Sequence, residues 1–432
     1  MAVYKIFPIQ DTTLYSLFQT TNAGSDEILE IGSMNNKSGV VAPELVLSQL
    51  GTDDIRRSLL LFDQNEINSV IGLSPTASNV SSSLRMFLAE ATNLTQEYKI
   101  EAWPVNAFWS NGTGKFIDSP TNTGGASWRY RSAQVNNVPW GQMSIISQSI
   151  SGSIVVSSSI PGYYQTPGGG SWFQTYSGSQ TFTYTSNKDV NMNVTNIIDK
   201  WKDGTLGANY GFIVKLPLTG TLINGDIFEA NPQSYINLQF FSMNTHTIYP
   251  PCLEFKWNDY TFSTSSNYPY LTAPSSSVSE SFVNEFSASV LINVVTSSFT
   301  SSFSQSVVTS DTYVLVSNNN LGEYENDSVY NFRFKTREQF PTRQFTTSSI
   351  YLNWKYLPSH SYYAIQDYKT KEMAIDFDTK ATQLSIDPSG SFFKLYMNGL
   401  QPERSYKILI KSTLETGETI VKDNDIIFKV IR

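Results

Sequence analysis

Apolar and polar residues alternate with a period of two over short stretches through most of this chain, the pattern of half-buried strands. Between residues 1 and about 258, strands are expected at 3–8, 27–32, 57–62, 84–89, 98–105, 180–184, 211–216, 235–241 and 253–257. Polar turns separate them, which suits a jelly-roll or related sandwich. One segment changes period. Val194, Ile197, Ile198 and Trp201 recur at helical spacing, Gly204 and Gly207 stop that helix, and Phe212-Ile213-Val214 resumes as an apolar run. A short amphipathic helix therefore feeds a buried strand through a glycine-bearing turn.

Residues 259–285 are rich in Ser, Thr and Pro and poor in core formers, as in a linker. Strand periods return at 288–295, 304–310, 313–317 and 328–336, giving a small β-domain over 286–347. A further set at 350–354, 373–377, 383–386, 392–397, 406–411 and 426–431 gives a last sandwich over 348–432. There, Leu400 and Pro402 form a turn ahead of Tyr406 in a strand, a short pattern that resembles immunoglobulin-like and fibronectin type III modules. The expected fold is thus all-β: an N-terminal jelly-roll-like sandwich, then one or two smaller immunoglobulin-like sandwiches.

One stretch departs from short connections. Residues 108–180 carry Gly112, Gly114, Gly124, Gly125 and the run Gly168-Gly169-Gly170 among many aromatics, and extend far beyond the usual connection of about 4–6 residues. Long excursions of this kind carry contacts. The aromatics Trp128, Tyr130, Trp140, Tyr163, Tyr164 and Trp172, with Phe173 and Tyr176, are its candidate interface or glycan-stacking residues. Three readings compete for them: burial beneath the loop, a protein interface, and stacking on sugar faces.

Composition narrows the function classes. Of 432 residues, 13% are aromatic and 15% charged, a balance of strands and turns rather than helices. The single Cys252 rules out an intramolecular disulfide framework. The start at Met1 shows no charged region followed by an apolar core and cleavage site, so no signal peptide is expected, and synthesis in a host cytoplasm follows. No apolar run reaches the ~18 residues of a membrane span, so membrane insertion is not expected. A net charge of -8 argues against nucleic acid as a partner. The charge is uneven: residues 331–432 hold 15 Lys plus Arg against 11 Asp plus Glu, or +4, leaving -12 on the rest. That asymmetry suits either head-to-tail contact with an oppositely charged neighbour or a mixed solvated surface.

Several stretches of the first 258 residues together resemble the DNRLRE-type, disaggregatase-related jelly-roll domains. They are the run Arg56 to Asp63, the run Leu84 to Leu88, the segment from Asp189 to Leu216 with Trp201, Gly204 and Asn209-Tyr210-Gly211, and the run Tyr249 to Phe255. The excursion near 141–180 is longer than that family's pattern. The resemblance implies a noncatalytic sandwich similar in shape to carbohydrate-binding modules. The whole chain is similar to bacteriophage virion proteins of the tail, neck or baseplate: tandem β-modules, abundant Ser, Thr, Asn and Tyr, and almost no Cys or His. That likeness implies location in the virion, with copies of itself and other virion proteins as partners. A host-surface glycan-binding module is the alternative.

Catalytic and cofactor signatures are sparse. His246 and His360 have no second imidazole or thiol at metal-sharing spacing, and no Gly-x-Ser-x-Gly elbow is present. Asp118, Asp189, Asp199 and Asp203 are the nearest carboxylates for glycoside hydrolysis, with local turn bonding as their simpler role. Asp53-Asp54 and Asp423-Asn424-Asp425 lack the spacing of a calcium loop. Arg333, Lys335 and Arg337 interleave with Phe332 and Phe334, which reads as a strand with one apolar and one basic face. No catalytic residue, metal or cofactor is therefore expected.

Overall fold

The computed structural model describes residues 2–35, 53–73, 80–92, 94, 97–133, 137–140, 143–147, 156–157, 163–183, 185–218, 228–229, 235–258, 260–262, 303–304, 307–340 and 354–432. The fold is all-β, of sandwich character, and the described residues hold two α-helices, α1 (Gln64–Leu73) and α2 (Thr195–Lys202). Most of the linker expected at 259–285 lies outside the described residues. The chain divides into two compact units, one of Ile6–Gln64 and Ser82–Glu254, the other of Met1–Lys5, Asn65–Ser81 and Phe255–Arg432.

The first unit is built on an eight-stranded sheet. Its path runs Gly178–Thr183, Glu97–Pro104, Phe212–Lys215, Asp53–Leu61, Ile28–Asn35, Tyr235–Phe241 and Leu88–Thr92, and Gln10–Tyr15 pairs with Asp53–Leu61 off that path. Its strands pair antiparallel, with Phe212 opposite Leu60 on one side and Pro104 on the other. All four residues of Phe212–Lys215 are buried, which explains its unbroken apolar run. Helix α2 buries Ile197, Ile198 and Trp201 with the preceding Val194, as its spacing predicts. Trp201 lies edge-on to Phe212 at 4.9 Å. Gly211 follows at φ 86°, and a Cβ there would meet the Leu60 carbonyl oxygen at 2.1 Å. The Asn209-Tyr210-Gly211 turn is thus fixed by close backbone approach, with Asn209 Nδ2 donating to Phe62 O at 3.1 Å.

The second unit contains two sheets with an aromatic core. One runs Tyr313–Ser317, Val329–Glu338, Gly390–Tyr396 and Ser385–Asp387; the other runs Glu323–Glu325, Thr419–Ile431, Arg404–Thr413, Ser361–Asp367 and Met373–Ile375. Phe332 and Phe334 are buried, as the alternation in that strand predicts. Phe332 lies between 5.2 and 5.4 Å from Tyr324, Phe393 and Phe428, rings contributed by both sheets. Tyr363 stacks on Phe393 at 3.8 Å across the same core. The ranges 286–347 and 348–432, expected as two modules, share these sheets, because Phe332 pairs with Phe393 and Glu323 with Lys429. Side-chain burial requires both halves, so their described strands form one sandwich.

Tyr406 is buried, and its hydroxyl donates to Gln401 O at 3.1 Å and accepts from Gln401 N–H at 2.9 Å, the tyrosine-corner geometry that the Leu400, Pro402, Tyr406 pattern resembled. Strand Ala2–Ile6 joins a four-stranded sheet with Cys252–Trp257, Ser81–Met86 and Val190–Asn193, while Tyr4 packs edge-on against Phe392 at 5.1 Å and Lys5 Nζ donates to Lys380 O at 2.7 Å. Helix α1 buries Ile67, Val70 and Leu73.

Phe332→Ala removes a fully buried ring from this aromatic core and is expected to lower stability by about 3–5 kcal/mol. Urea denaturation checks this, and an unchanged midpoint would refute the central place given to Phe332.

Candidate functional site

The aromatic loop excursion packs a core of its own in the first unit. Trp109, Trp128, Trp140 and Trp172 are buried together with Leu14, Ile55, Leu59, Val105 and Ile213. Each indole nitrogen that the core encloses needs an acceptor. Trp109 Nε1 donates to Tyr210 O and Trp140 Nε1 to Ser127 O, both at 2.8 Å. Among the sequence candidates, Trp128, Trp140 and Trp172 are therefore core residues: with 1, 4 and 3% of their surfaces exposed, they present no ring to a sugar or a partner. Tyr130 is half-buried and carries the Arg129 guanidinium over its ring at 5.6 Å. Tyr163 and Tyr164 lie in strand Tyr163–Pro167, opposite Ser147 and Ile146, and their side chains lie outside the described residues.

A buried cation organises this core. Adjacent strand residues point to opposite faces, so Arg56 turns to Asp54 and Glu30 while Arg57 turns inward. The Arg57 guanidinium sits 4.8 Å from the Trp128 ring and 5.2 Å from Trp172. Its Nε donates to Glu229 Oε1 at 2.9 Å, its Nη2 to Glu229 Oε2, and its Nη1 to Gly169 O. The Pro167-Gly168-Gly169-Gly170 run supplies that last acceptor. All three glycines have positive φ, and a Cβ on Gly168 would lie 2.4 Å from Trp128 O. Lys215 adds a second buried cation 5.3 Å over Trp172, and burial pushes its ammonium down to about 8.

The outer part of the excursion is tied to a buried amide. Asn22 Nδ2 donates to Asn111 O at 2.7 Å and Ala126 O at 2.8 Å, and its Oδ1 accepts from Gly114 N–H at 2.9 Å. Gly112, at φ 79°, leaves room for that side chain: a Cβ there would meet Asn22 Oδ1 at 2.3 Å. Asp26 accepts from Phe116 N–H at 3.1 Å. Lys115 and Asp118 close a tight turn, Asp118 N–H to Lys115 O at 3.0 Å and Lys115 N–H to Asp118 Oδ2 at 2.8 Å. At its tip Ile117 is 84% exposed, and nearby Phe18, 47% exposed, lies edge-on to Phe116 at 5.1 Å. No sequence pattern singled out this cluster, because the turn that carries Phe116 and Ile117 is held by bonds to Asn22 and Asp26, about 90 positions away and close in sequence to Phe18.

The remaining candidates make structural bonds, some local and some between distant strands. Asp203 pairs with Lys200 at 2.6 Å, Asp189 accepts from Leu88 N–H at 3.0 Å, and Lys407 joins Asp423 and Asp425 at 2.7 Å each. Arg333 meets Asp387 at 2.6 Å. Among the described residues no group of three His, Cys, Asp or Glu side chains is placed to hold a metal ion, and no helix is long and apolar enough to cross a membrane. Comparison with protein-family models and with curated proteins returns no match.

Two predictions follow from the buried charges. Glu229→Gln leaves Arg57 without its counter-charge and is expected to cost about 3–5 kcal/mol in urea denaturation, whereas the double change Arg57→Met with Glu229→Met costs less than either single change. Equal or greater loss in the double variant would contradict the pairing. Burial pushes Asp11 up to about 7, partly opposed by the Met243 N–H that donates to it at 2.6 Å. An unfolded Asp titrates near ~4. Between these values the native state holds the extra proton, so this contribution to stability is complete below ~4 and is lost as pH rises through the folded value. Asp11→Asn is therefore expected to stabilise the protein at pH ~8, by an amount on the order of a few kcal/mol, and to flatten the slope below neutrality. Thermal melts across pH check the sign; an unchanged slope would refute it.

Proposed function

We propose that this chain is a noncatalytic structural protein of a bacteriophage particle, in the tail, neck or baseplate, acting through protein–protein contacts with copies of itself and with other virion proteins. The observation that carries the reading is the apolar knuckle of Phe18, Phe116 and Ile117. Exposed apolar side chains on a mobile tip cost ordering entropy when they are buried by a partner; here the turn is already bonded through Asn22, Asp26 and Asp118. A rigid, exposed aliphatic and aromatic patch suits protein contact. The burial of Trp128, Trp140 and Trp172 weighs against sugar stacking by those rings, and the composition of tandem β-modules with almost no His or Cys supports the virion setting. A host-surface glycan-binding role is the second reading, supported by a separate groove at Phe108.

Ile117→Asp changes a side chain in solvent, so its effect on folding is expected to stay within about 0.5 kcal/mol. Incorporation into particles, measured by quantitative mass spectrometry of purified virions beside wild type, is expected to fall at least about tenfold. Absence of the wild-type chain from particles would overturn the virion reading; equal incorporation of the variant would overturn the role of the knuckle.

A further inference from the structure

A second surface feature lies on the first unit, on a different side chain set from the knuckle. A shallow groove of about 660 Å³ is lined by Asn106, Phe108, Arg131, Pro139, Ser171 and Tyr210 among others. Its volume falls within the ~300–1,000 Å³ of small-ligand sites. Phe108 is 51% exposed and stands edge-on to Tyr210 at 6.5 Å, so one apolar ring is held upright at the rim. The backbone beneath it is fixed: Trp109 Nε1 donates to Tyr210 O at 2.8 Å and Ser110 N–H to Arg131 O at 3.0 Å.

The polar lining has unspent capacity. Arg131 Nη1 donates to Phe108 O at 2.7 Å, which ties the guanidinium to the residue that carries the ring, and among the described residues no carboxylate lies within ion-pair distance of it. Most other guanidiniums here face acids: Arg56, Arg57, Arg85, Arg333 and Arg404 each meet a carboxylate. Ser171 Oγ donates to Asn106 Oδ1 at 2.5 Å, which assigns the amide with Nδ2 as its donor atom, on a residue that is itself exposed. An exposed guanidinium with no carboxylate partner among the described residues, a half-exposed ring and a side-chain amide lie within one concavity.

We propose that this groove binds an acidic saccharide, with the sugar carboxylate on Arg131, the apolar face of the ring against Phe108 and a hydroxyl accepting from Asn106. A neutral glycan would leave the guanidinium uncompensated. A purely apolar occupant would leave Asn106 and Arg131 desolvated without partners. The inference rests on the glycan-binding alternative and not on the assembly reading, since none of its residues belongs to the Phe18, Phe116 and Ile117 knuckle.

The test uses the full chain and three probes in calorimetric titrations: a galacturonate tetrasaccharide, sialyllactose and neutral maltotetraose. At least one acidic probe is expected to bind with Kd below about 1 mM, and maltotetraose at least about tenfold more weakly. Arg131→Gln and Phe108→Ala are each expected to weaken the acidic probe about tenfold or more, while Phe108→Tyr, which keeps the ring, retains binding. Melting curves of each variant separate lost binding from lost fold. No binding of either acidic probe, equal binding of the neutral one, or undiminished binding by Arg131→Gln would each overturn the proposal. If neither acidic probe binds and Phe108→Ala alone abolishes incorporation into particles, the groove is a protein contact and the saccharide assignment fails while the assembly reading stands.

Discussion

A guanidinium with no water around it imposes conditions on everything it touches, and Arg57 holds that position in the first unit. Taking such a group out of solvent costs several kcal/mol, which only well-placed acceptors and a counter-ion offset. Those partners come from distant parts of the chain: a carboxylate at 229, a backbone carbonyl at 169, and indole faces at 128 and 172. The long excursion is consequently not an appendage on a finished sandwich. Its aromatic residues complete the shell around a charge that strand Asp53–Leu61 would otherwise bury unpaired.

The same logic explains why tryptophans that look like binding residues turn out to be core. Flat aromatic surface beside Gly, Ser and Asn is compositionally identical whether it faces a sugar or a buried arginine. What decides is the position of Arg57, and a single strand sequence containing Arg56 and Arg57 does not say which of the two faces inward. The three glycines at 168–170 read as a flexible loop in sequence; in the fold Gly168 and Gly169 run against the Trp128 carbonyl and Gly170 against Ile213.

Legibility in the sequence follows the range of the interactions. Helix α2 and its exit turn are readable because Val194, Ile197, Ile198, Trp201, Gly204 and Gly207 satisfy rules local to a few residues. The strand pairing Phe332 with Phe393 was readable as two alternating segments but not as one sheet, since alternation gives the face of a residue and not its neighbour. Helix α1 escaped notice because Ile67, Val70 and Leu73 form a weak stripe among Asn, Gln and Ser, residues that equally suit a turn. Neither the Asn22 hub nor the groove at Phe108 has a local signature; both are assembled from side-chain bonds to backbone atoms about 20 to 100 positions away.

The unit boundaries carry a temporal consequence. Residues Met1–Lys5 and Asn65–Ser81 emerge early from a ribosome, yet their place is in a unit whose other members begin at Phe255. Tyr4 packs on Phe392 and Lys5 N–H donates to Ser385 Oγ, 380 positions along the chain, so these early residues wait for partners that are made near its end. Until those late residues are made, the ring of Tyr4 and the backbone of Lys5 lack the neighbours that they have in the fold.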